Sequence, residues 1–515
     1  MINKKKNCNK LEFITSSIII IILLSIFATY PISAEISLEE NLQDVIIANQ
    51  NLDLTEEEKI IDYFMDYIYY YTAESDVDSS DIELKKSSLN FPFISINRAI
   101  EDVDFLFEVL KYGYAGYQLY GGDESFGKAR KNILAELDAS TSFLGRISRS
   151  NFRDMIIDSL SFIGDAHFAF DGEQFGDNYT MYISNDYSFQ AVEDGFVLLD
   201  GEESLYFSKL AGKEADEVLW PSLDDNAQLV YRPGLFLSVE KEELLEIMIL
   251  ERRVSVENKE TNNLANRVVE EELALMPMPV YNVPSWNEAY TRREEEGIPV
   301  IRVNSLMHTE SNLESLNRFV EEGKELANEE AIIIDLRGNS GGSDSFASNW
   351  FKSFLGREIS SNIIYIDLKT EISRQVFLNN VREMNNDQKL IELVNERFYP
   401  VNSGWGEPIL HLPERIDNYT LLLVLIDSRT ASAGENFVRQ LRQVNNVVLI
   451  GSNTRGLIIT GNVGSYSLPN SNFKVNSPVS LAFDTDLVYR EGMGYMPDIW
   501  VDPNKALEIA LELVK

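Results

Sequence analysis

The strongest constraint on the fold is a set of apolar runs near the C-terminal end, each followed by a polar loop and a helix-like stretch. The clearest runs are AIIIDL at 331–336, TLLLVLID at 420–427 and NVVLIG at 446–451. The stretches between them place apolar residues at three- and four-residue spacing, which is typical of helices. Continuous apolar strands that alternate with helices predict a parallel sheet buried on both faces. We therefore expect an α/β core over residues 297–515.

Two regions of different texture precede this core. Residues 35–165 carry apolar residues at helical spacing, as in INRAIEDVDFLFEVLKYGY at 96–114, and are expected to form a helical N-terminal region. Residues 166–296 contain short alternating runs separated by Gly and Asp, such as YTMYISN at 179–185. This alternation predicts a β-rich middle domain.

Residues 1–34 have the layout of a secretory signal peptide. A lysine-rich start is followed by the apolar run IIIIILLSIFA at 18–28 and by small residues ahead of Glu35. The alternative is an uncleaved membrane anchor, because Phe13 to Ala34 is just long enough to span a bilayer. Both alternatives place the body of the protein outside the cytoplasm, and any membrane contact is expected through this segment alone.

Charge and cysteine content exclude several kinds of chemistry. The formal net charge is −38, and because residues 1–34 carry four lysines and one glutamate, the rest of the chain carries −41. Such an acidic surface repels nucleic acids, which are therefore not expected as partners. The only cysteine, Cys8, lies in the N-terminal segment. The remaining chain has no thiol to act as a nucleophile or as a metal ligand.

Two loops of unusual composition follow apolar strands, where reactive groups collect in parallel α/β sheets. The first is DLRGNSGG at 335–342, in which Gly341 and Gly342 allow backbone N–H groups to approach a ligand. No Lys followed by Ser or Thr is present, so an oxyanion hole is favoured over a phosphate loop. A plain tight turn is the structural alternative.

The second loop is DSRTASAGE at 427–435, which places Ser432 between two alanines at a strand-to-helix junction. This order of elements is typical of a nucleophile elbow, and the N–H of Ala433 would then join Gly341 and Gly342 in the oxyanion hole. The alternative is a helix N-cap, with Glu435 completing a capping box. Spacing alone favours the cap.

Four motifs in the C-terminal part resemble those of a known family. IIIDLRGNSGG, TASAGE, IGSNTRG and EGMGYMPDI occur in the order and spacing found in the C-terminal-processing (tail-specific) serine peptidases, whose relatives include the tricorn core. The resemblance covers about 297–515, and FIGDAHFAF at 162–170 is similar to an earlier segment of the family. It implies a ClpP/crotonase-like α/β core, a peptide or protein substrate, no metal or organic cofactor, and Ser432 as the nucleophile.

The resemblance also raises the question of the general base. The best-known branch uses a lysine 25 residues after the serine, but Leu457 occupies that position here, and the nearby Arg455 is a poor base. The tricorn-like branch uses a histidine, and GDAHF resembles its motif, which implies that His167 is the base. The other histidines, His308 and His411, match no motif.

A catalytic histidine needs an acceptor that orients it. The tricorn-like branch places a glutamate before a G-x-x-P-D segment, which implies Glu491 for this role. That branch usually has a serine directly before its histidine, whereas this chain has Ala166. Asp165 is another candidate orienter, with a turn residue as its structural alternative.

These residues predict a secreted serine peptidase with a Ser432–His167–Glu491 arrangement. The segment at 190–255 lacks a clear carboxylate-binding loop, so a PDZ domain is not expected and strict C-terminal specificity does not follow. Because Ala166 and Leu457 depart from the family pattern, the main alternative is a catalytically inactive, peptidase-like binding protein. A carbohydrate-active enzyme that uses paired carboxylates is a third reading, although no distinctive pair stands out.

Overall fold

The fold is known from a computed structural model of the chain. It describes residues 43, 45–47, 55–69, 75–85, 92–140, 145–193, 195–199, 205–224, 227–238, 249–258, 263–384, 388–401 and 404–514, with the side chains of 253–267 and 383–384 excepted. The N-terminal segment predicted as a signal peptide or anchor lies outside these residues. Within the described ranges, every helix is too short or too polar to cross a bilayer.

Helices dominate the first part of the chain and then alternate with strands. The described α-helices are α1 (Glu57–Met65), α2 (Ile96–Gly113), α3 (Gly122–Ala139), α4 (Arg149–Leu160), α5 (Ala215–Val218), α6 (Glu310–Leu326), α7 (Asp344–Leu355), α8 (Glu371–Met384), α9 (Gln388–Phe398), α10 (Ala433–Leu441) and α11 (Ala506–Glu512). Helices α2 and α4 begin in the same way, because Ser95 and Ser148 accept a hydrogen bond from the third residue of the helix. A short 3₁₀ helix, Ser79–Asp81, precedes α2.

The strands fall into one large sheet, one smaller sheet and a separate two-stranded pair. In chain order they are β1 (Phe93–Ser95), β2 (Arg146–Ser148), β3 (Ala169–Phe170), β4 (Glu173–Gln174), β5 (Tyr179–Ile183), β6 (Phe189–Val192), β7 (Gly195–Leu198), β8 (Leu205–Leu210), β9 (Leu219–Leu223), β10 (Leu229–Ser238), β11 (Ile249–Asn258), β12 (Asn263–Glu272), β13 (Met276–Pro277), β14 (Tyr290–Glu295), β15 (Ile298–Val303), β16 (Ala331–Asp335), β17 (Ile363–Asp367), β18 (Ile409–His411), β19 (Leu421–Ile426), β20 (Val447–Gly451), β21 (Thr460–Ser467), β22 (Lys474–Asp484) and β23 (Ile499–Trp500).

The predicted parallel layer forms the centre of the large sheet. Strands β15, β16, β19, β20 and β23 are neighbours in that order, and each pairs in parallel with the next. Every residue of β16 and β20 is buried, as expected for strands covered on both faces. The middle of the chain extends this sheet with antiparallel strands β6–β12. The fold is thus the expected mixed α/β type with N-terminal helices.

The smaller sheet joins distant parts of the sequence. Strand β22 pairs with β17, β21 and β3, so residues 169–170 lie beside residues 475–476. One apolar cluster includes Phe64 of α1, Leu106 of α2 and Ile133 of α3 together with Val475 and Phe483 of β22. The N-terminal helices therefore share their core with C-terminal strands. This packing brings the turn after α4 to the same region as the C-terminal loops.

Candidate active site

The two loops singled out in the sequence leave neighbouring strands at the same edge of the sheet. Strands β16 and β19 pair in parallel from Ala331↔Leu421 to Asp335↔Leu425. The loops are then joined directly, because the Thr430 hydroxyl donates to the Leu336 carbonyl at 3.0 Å and the Ala431 N–H donates to the Asn339 carbonyl at 2.9 Å. The carboxyl ends of these strands thus carry one combined structure.

A buried carboxylate fastens the glycine loop to the serine loop. Asp427 Oδ1 accepts the Gly338 N–H at 2.7 Å and the Thr430 hydroxyl at 3.1 Å. Burial raises the pKa of Asp427, although these hydrogen bonds oppose the shift. Its Oδ2 atom is buried and has no partner among the described residues. Asp427 therefore acts as a brace between the two loops, a role that the end of the apolar run did not reveal.

An ion cluster lies beneath the glycine loop. The Asp335 carboxylate accepts hydrogen bonds from Arg302 at 2.6 Å and from Arg337 at 2.7 and 2.8 Å, and all three residues are buried. Both guanidinium groups also lie against the Tyr281 ring. Because two arginines share one carboxylate, the start of the loop at residue 335 is held from both sides.

Ser432 has the backbone conformation of an elbow. It directly precedes α10, and the Glu435 carboxylate accepts its N–H at 2.9 Å, which forms the Glu435 half of the expected capping box. Its φ of 51° and ψ of −118° differ from the extended values of the capping residues Ser95 (−71°, 146°) and Ser148 (−66°, 145°). A non-glycine residue rarely adopts positive φ, and such strain is found at functional sites.

Glu435 does more than cap a helix. Its two oxygens accept four hydrogen bonds: from the Thr454 hydroxyl at 2.6 Å, the Gly456 N–H at 2.6 Å, the Leu457 N–H at 2.8 Å and the Ser432 N–H at 2.9 Å. The side chain is fully buried, and burial raises its pKa against the lowering effect of these donors. Glu435 therefore fixes the serine to the segment at 454–457. The sequence interpretation recognised it only as a capping residue.

The candidate oxyanion donors meet at this elbow, but they are not equivalent. A Cβ on Gly341 would lie 2.9 Å from Ser432 Cβ and 3.0 Å from Ala433 N, so Gly341 packs directly on the serine turn. However, the Gly341 N–H already donates to the Asn339 side chain at 2.9 Å, which corrects its expected role as a free donor. The N–H groups of Gly342 and Ala433 make no hydrogen bond within the described residues.

The turn that carries His167 is organised by Asp165. Its Oδ1 atom accepts the His167 N–H at 2.8 Å, the Phe168 N–H at 3.3 Å and the Thr460 hydroxyl at 2.8 Å, and its Oδ2 atom accepts the Tyr114 hydroxyl at 2.7 Å. These contacts fit the turn-residue alternative for Asp165. The carboxylate binds the histidine's backbone rather than its ring.

The His167 imidazole is half-buried in this turn. Its Nδ1 atom is buried and has no hydrogen-bond partner among the described residues. Desolvation lowers the pKa of His167 from its ordinary 6.5, while the Asp165 charge and the Thr460 backbone oppose this shift. A lowered pKa keeps the ring neutral at neutral pH, which is the form that accepts a proton.

Glu491 lies beside the histidine turn without a hydrogen bond to the imidazole. Its carboxylate accepts the N–H groups of Ala166 at 3.3 Å, Ile458 at 3.3 Å and Ile459 at 3.0 Å. Burial, together with the Asp165 charge, raises the pKa of Glu491 well above its ordinary range. Glu491, expected to orient the imidazole, thus makes backbone contacts that fix the turn at Ala166.

One segment, residues 454–460, joins the serine elbow to the histidine turn. Its first part binds Glu435, its middle part donates to Glu491, and the Thr460 hydroxyl binds Asp165. The amides of Leu457 and Ser432 share one oxygen of Glu435. Leu457, which stands where the related branch has its lysine, is therefore a neighbour of the serine but offers only an aliphatic side chain.

The other two histidines lie in other surroundings. His308 is exposed and has its ring 5.8 Å from that of Phe346. His411 lies on β18, with its ring 6.2 Å from that of Tyr365. Neither has a hydrogen bond to the serine loop within the described part of the chain. His167 is the one whose turn is joined to the serine elbow through 454–460.

Comparison with known proteins gives one family match and several similar solved structures. Residues 297–501 match the family model of peptidase family S41. Similar solved structures include mature CPAF (15% identity, 82% of this chain and 96% of that chain, TM-score 0.41) and the photosystem II D1 C-terminal processing protease (14%, 79% and 93%, 0.33). The tricorn protease is also similar (11% identity, 81% of this chain and 37% of that chain, TM-score 0.34). Residues 297–501 thus carry a domain that matches peptidase family S41, in agreement with the resemblance of the four sequence motifs to the C-terminal-processing serine peptidases.

Proposed function

We propose that this chain is an active serine peptidase in which Ser432 is the nucleophile and His167 the general base. The observation that carries the proposal is the backbone of Ser432, held at φ 51° and ψ −118° between β19 and α10. An ordinary N-cap needs no such strain, because its backbone is extended. A nucleophile elbow does require a sharp turn that presents the hydroxyl at the edge of the sheet.

In the proposed reaction, the Ser432 hydroxyl attacks the carbonyl carbon of a peptide bond and passes its proton to His167. The tetrahedral intermediate then collapses, the C–N bond breaks, and His167 returns the proton to the leaving amine. Water attacks the resulting ester by the same route, with His167 again taking the proton, and releases the acid and Ser432. The neutral ring favoured by desolvation suits this use of His167.

The oxyanion would be held by the N–H groups of Ala433 and Gly342. Both lack an acceptor within the described residues, and Ala433 begins α10, so its N–H contributes to the positive end of that helix. Gly341 has a spacing role in this arrangement, because any side chain there would collide with the elbow. Preorganised backbone N–H groups of this kind stabilise the oxyanion of a tetrahedral intermediate.

Glu491 is proposed as a positioning residue. Its carboxylate binds the Ala166 N–H and two amides of the 454–460 segment, so it holds the histidine turn against the serine's surroundings. This role differs from direct orientation of the ring, for which no hydrogen bond is present among the described residues. The unpartnered Nδ1 of His167 marks the place where an orienting group would bind.

The rival function is a peptidase-like protein that binds peptides without cleaving them. Ala166, Leu457 and the unpartnered Nδ1 atom motivate it. A fluorophosphonate probe separates the two, since it reacts only with an activated serine. We expect labelling of the wild-type chain, no labelling of Ser432→Ala, and at least about a hundredfold slower labelling of His167→Ala, the size of a general-base contribution.

The control for this experiment is His411→Ala, which removes the histidine of β18 in the smaller sheet and should be labelled at the wild-type rate. Folded wild-type protein that takes up no probe would support the binding protein instead. Labelling at the wild-type rate in His167→Ala would leave Ser432 as the nucleophile but remove His167 from the base role.

We also propose that the protein acts outside the cytoplasm, on the basis of the basic start and apolar core of residues 1–34. N-terminal sequencing of protein recovered from the producing cells tests this. A mature chain that begins at Glu35 supports secretion. An intact N-terminus in the membrane fraction supports the anchor, and an intact N-terminus in the cytoplasm contradicts both.

A further inference from the structure

Arg455 is fixed against the serine elbow by its backbone. Its N–H donates to the carbonyl of Thr430 at 2.8 Å, two residues before Ser432. On either side of Arg455, the Thr454 hydroxyl and the Gly456 N–H bind Glu435, both at 2.6 Å. The position of Arg455 beside the elbow is therefore set by three hydrogen bonds.

The guanidinium of Arg455 differs from those of four other shielded arginines. Arg302, Arg337, Arg439 and Arg490 each form an ion pair with an aspartate. Arg455 is half-buried, and within the described part of the chain its side chain has neither a hydrogen bond nor an ion pair. A partly desolvated charge without a partner is costly, so a site of this kind calls for an anion.

The two carboxylates whose charges act on Arg455 do not form an ion pair or a hydrogen bond with its guanidinium. Glu435 and Glu491 both raise the pKa of Arg455 against the lowering effect of desolvation. However, all the hydrogen bonds that these carboxylates accept come from backbone amides and the Thr454 hydroxyl. They offset the charge of Arg455 without using its donors.

We propose that Arg455 binds a carboxylate of the substrate next to the scissile bond. This proposal rests on the proposed peptidase function and names the substrate chemistry of that site. A guanidinium stays protonated and offers a planar pair of donors that fits a carboxylate. Although the chain is strongly acidic, distant surface charges are screened beyond about 8 Å at physiological salt, so the local guanidinium decides what binds here.

An acidic side chain and the C-terminal carboxylate of a peptide share this chemistry, and three peptide pools separate them. The first pool is a tryptic digest of casein. In the second, side-chain carboxylates are converted to methylamides before digestion, so only the new terminal carboxylates remain. In the third, all carboxylates are converted after digestion.

The full chain is tested in two ways. Retention of each pool on the immobilised Ser432→Ala variant measures binding without turnover, and mass spectrometry of wild-type digests measures cleavage. We expect the third pool to be retained and cleaved about tenfold less than the first, the size of one charge-assisted hydrogen bond. A second pool that behaves like the first identifies the terminal carboxylate, and one that behaves like the third identifies acidic side chains.

Arg455→Gln, made alone and with Ser432→Ala, should bring the ratio between the pools close to one, and Arg455→Lys should keep part of it. The matched control is Arg429→Ala, which removes an exposed arginine of the same loop and should keep the full ratio. A wild-type chain that does not distinguish the pools overturns the proposal. So does Arg455→Gln if it weakens all pools equally, because that result indicates a purely structural role. Since retention needs no turnover, an inactive Ser432 would show as missing cleavage with the retention ratio preserved.

Discussion

Replacement of Glu435 by Gln tests whether this carboxylate holds the elbow together. Four donors point at its two oxygens. Gln keeps one oxygen and places an NH₂ group against the other two donors. The amide nitrogen is best tolerated on the side of Thr454, whose hydroxyl can turn to accept, and the Gly456 N–H is then left buried without an acceptor.

An orphaned buried donor costs about 1–3 kcal/mol, and each lost hydrogen bond to a charged group costs a similar amount. Gln is neutral, so the variant does not pay the cost of burying a negative charge, which is what raises the pKa of Glu435. This gain offsets part of the loss. We therefore expect Glu435→Gln to lower the free energy of unfolding by about 2–3 kcal/mol. Urea denaturation followed by tryptophan fluorescence measures this as a shift of the midpoint at unchanged slope.

The matched control is Glu321→Gln on the exposed face of α6, where a change within about 0.5 kcal/mol is expected. Fluorophosphonate labelling of Ser432 should slow in Glu435→Gln, because the serine N–H shares its acceptor with Leu457. A variant that unfolds at the wild-type urea concentration and is labelled at the wild-type rate would refute the reasoning, since neither the elbow nor the 454–457 segment would then depend on this carboxylate.

Three further predictions concern the same site. The pKa of His167 is lowered from its ordinary value of 6.5, so the ring becomes protonated only at a pH below 6.5. As the pH is lowered, kcat/KM should therefore fall with a midpoint below pH 6.5. A midpoint at or above pH 6.5 would contradict the assignment of His167 as the base. Gly341→Ala should abolish fluorophosphonate labelling, because its Cβ would lie 2.8 Å from the Ala431 carbonyl oxygen at a φ of +99°. The control Gly356→Ala has a φ of +70° and open space around the new Cβ, so it should only lower the free energy of unfolding by about 1–2 kcal/mol. Equal labelling of the two variants would contradict the packing argument. Ala166→Ser should increase kcat/KM, because a hydroxyl at residue 166 can accept a hydrogen bond from His167 Nδ1, which has no partner among the described residues. An unchanged rate would show that the ring needs no such partner.

The parallel core was predictable because burial on both faces leaves a simple signal. Uninterrupted apolar runs at 331–334 and 421–426 became neighbouring strands, and the glycine and serine loops met at their carboxyl ends as expected. The helix around residues 96–114 was also predicted, since an amphipathic face has a regular spacing.

The donors and acceptors of the site were less predictable, because they depend on contacts between residues far apart in the sequence. Spacing could not show that the Gly341 N–H is taken by Asn339, or that Glu491 binds the Ala166 backbone rather than the imidazole. Glu435 looked like half of a capping box because its partners at 454–457 follow 19 residues or more after it. The Arg455 side chain was considered only as a base and not as a binding group.

The apolar cluster that joins the N-terminal helices to β22 extends beyond the segment that matches the family model. The boundaries of the matched segment are therefore not those of the packed core. The segment at 297–501 matches a family model, but its strands β17 and β22 share an apolar core with the helices that precede it. A chain that begins at residue 297 would expose the apolar face of β17 and β22. It would also lack His167 and the Ala166 N–H that Glu491 accepts. If the proposed peptidase activity is to be transferred to another protein, the helices and the turn at 165–167 should therefore move with residues 297–501.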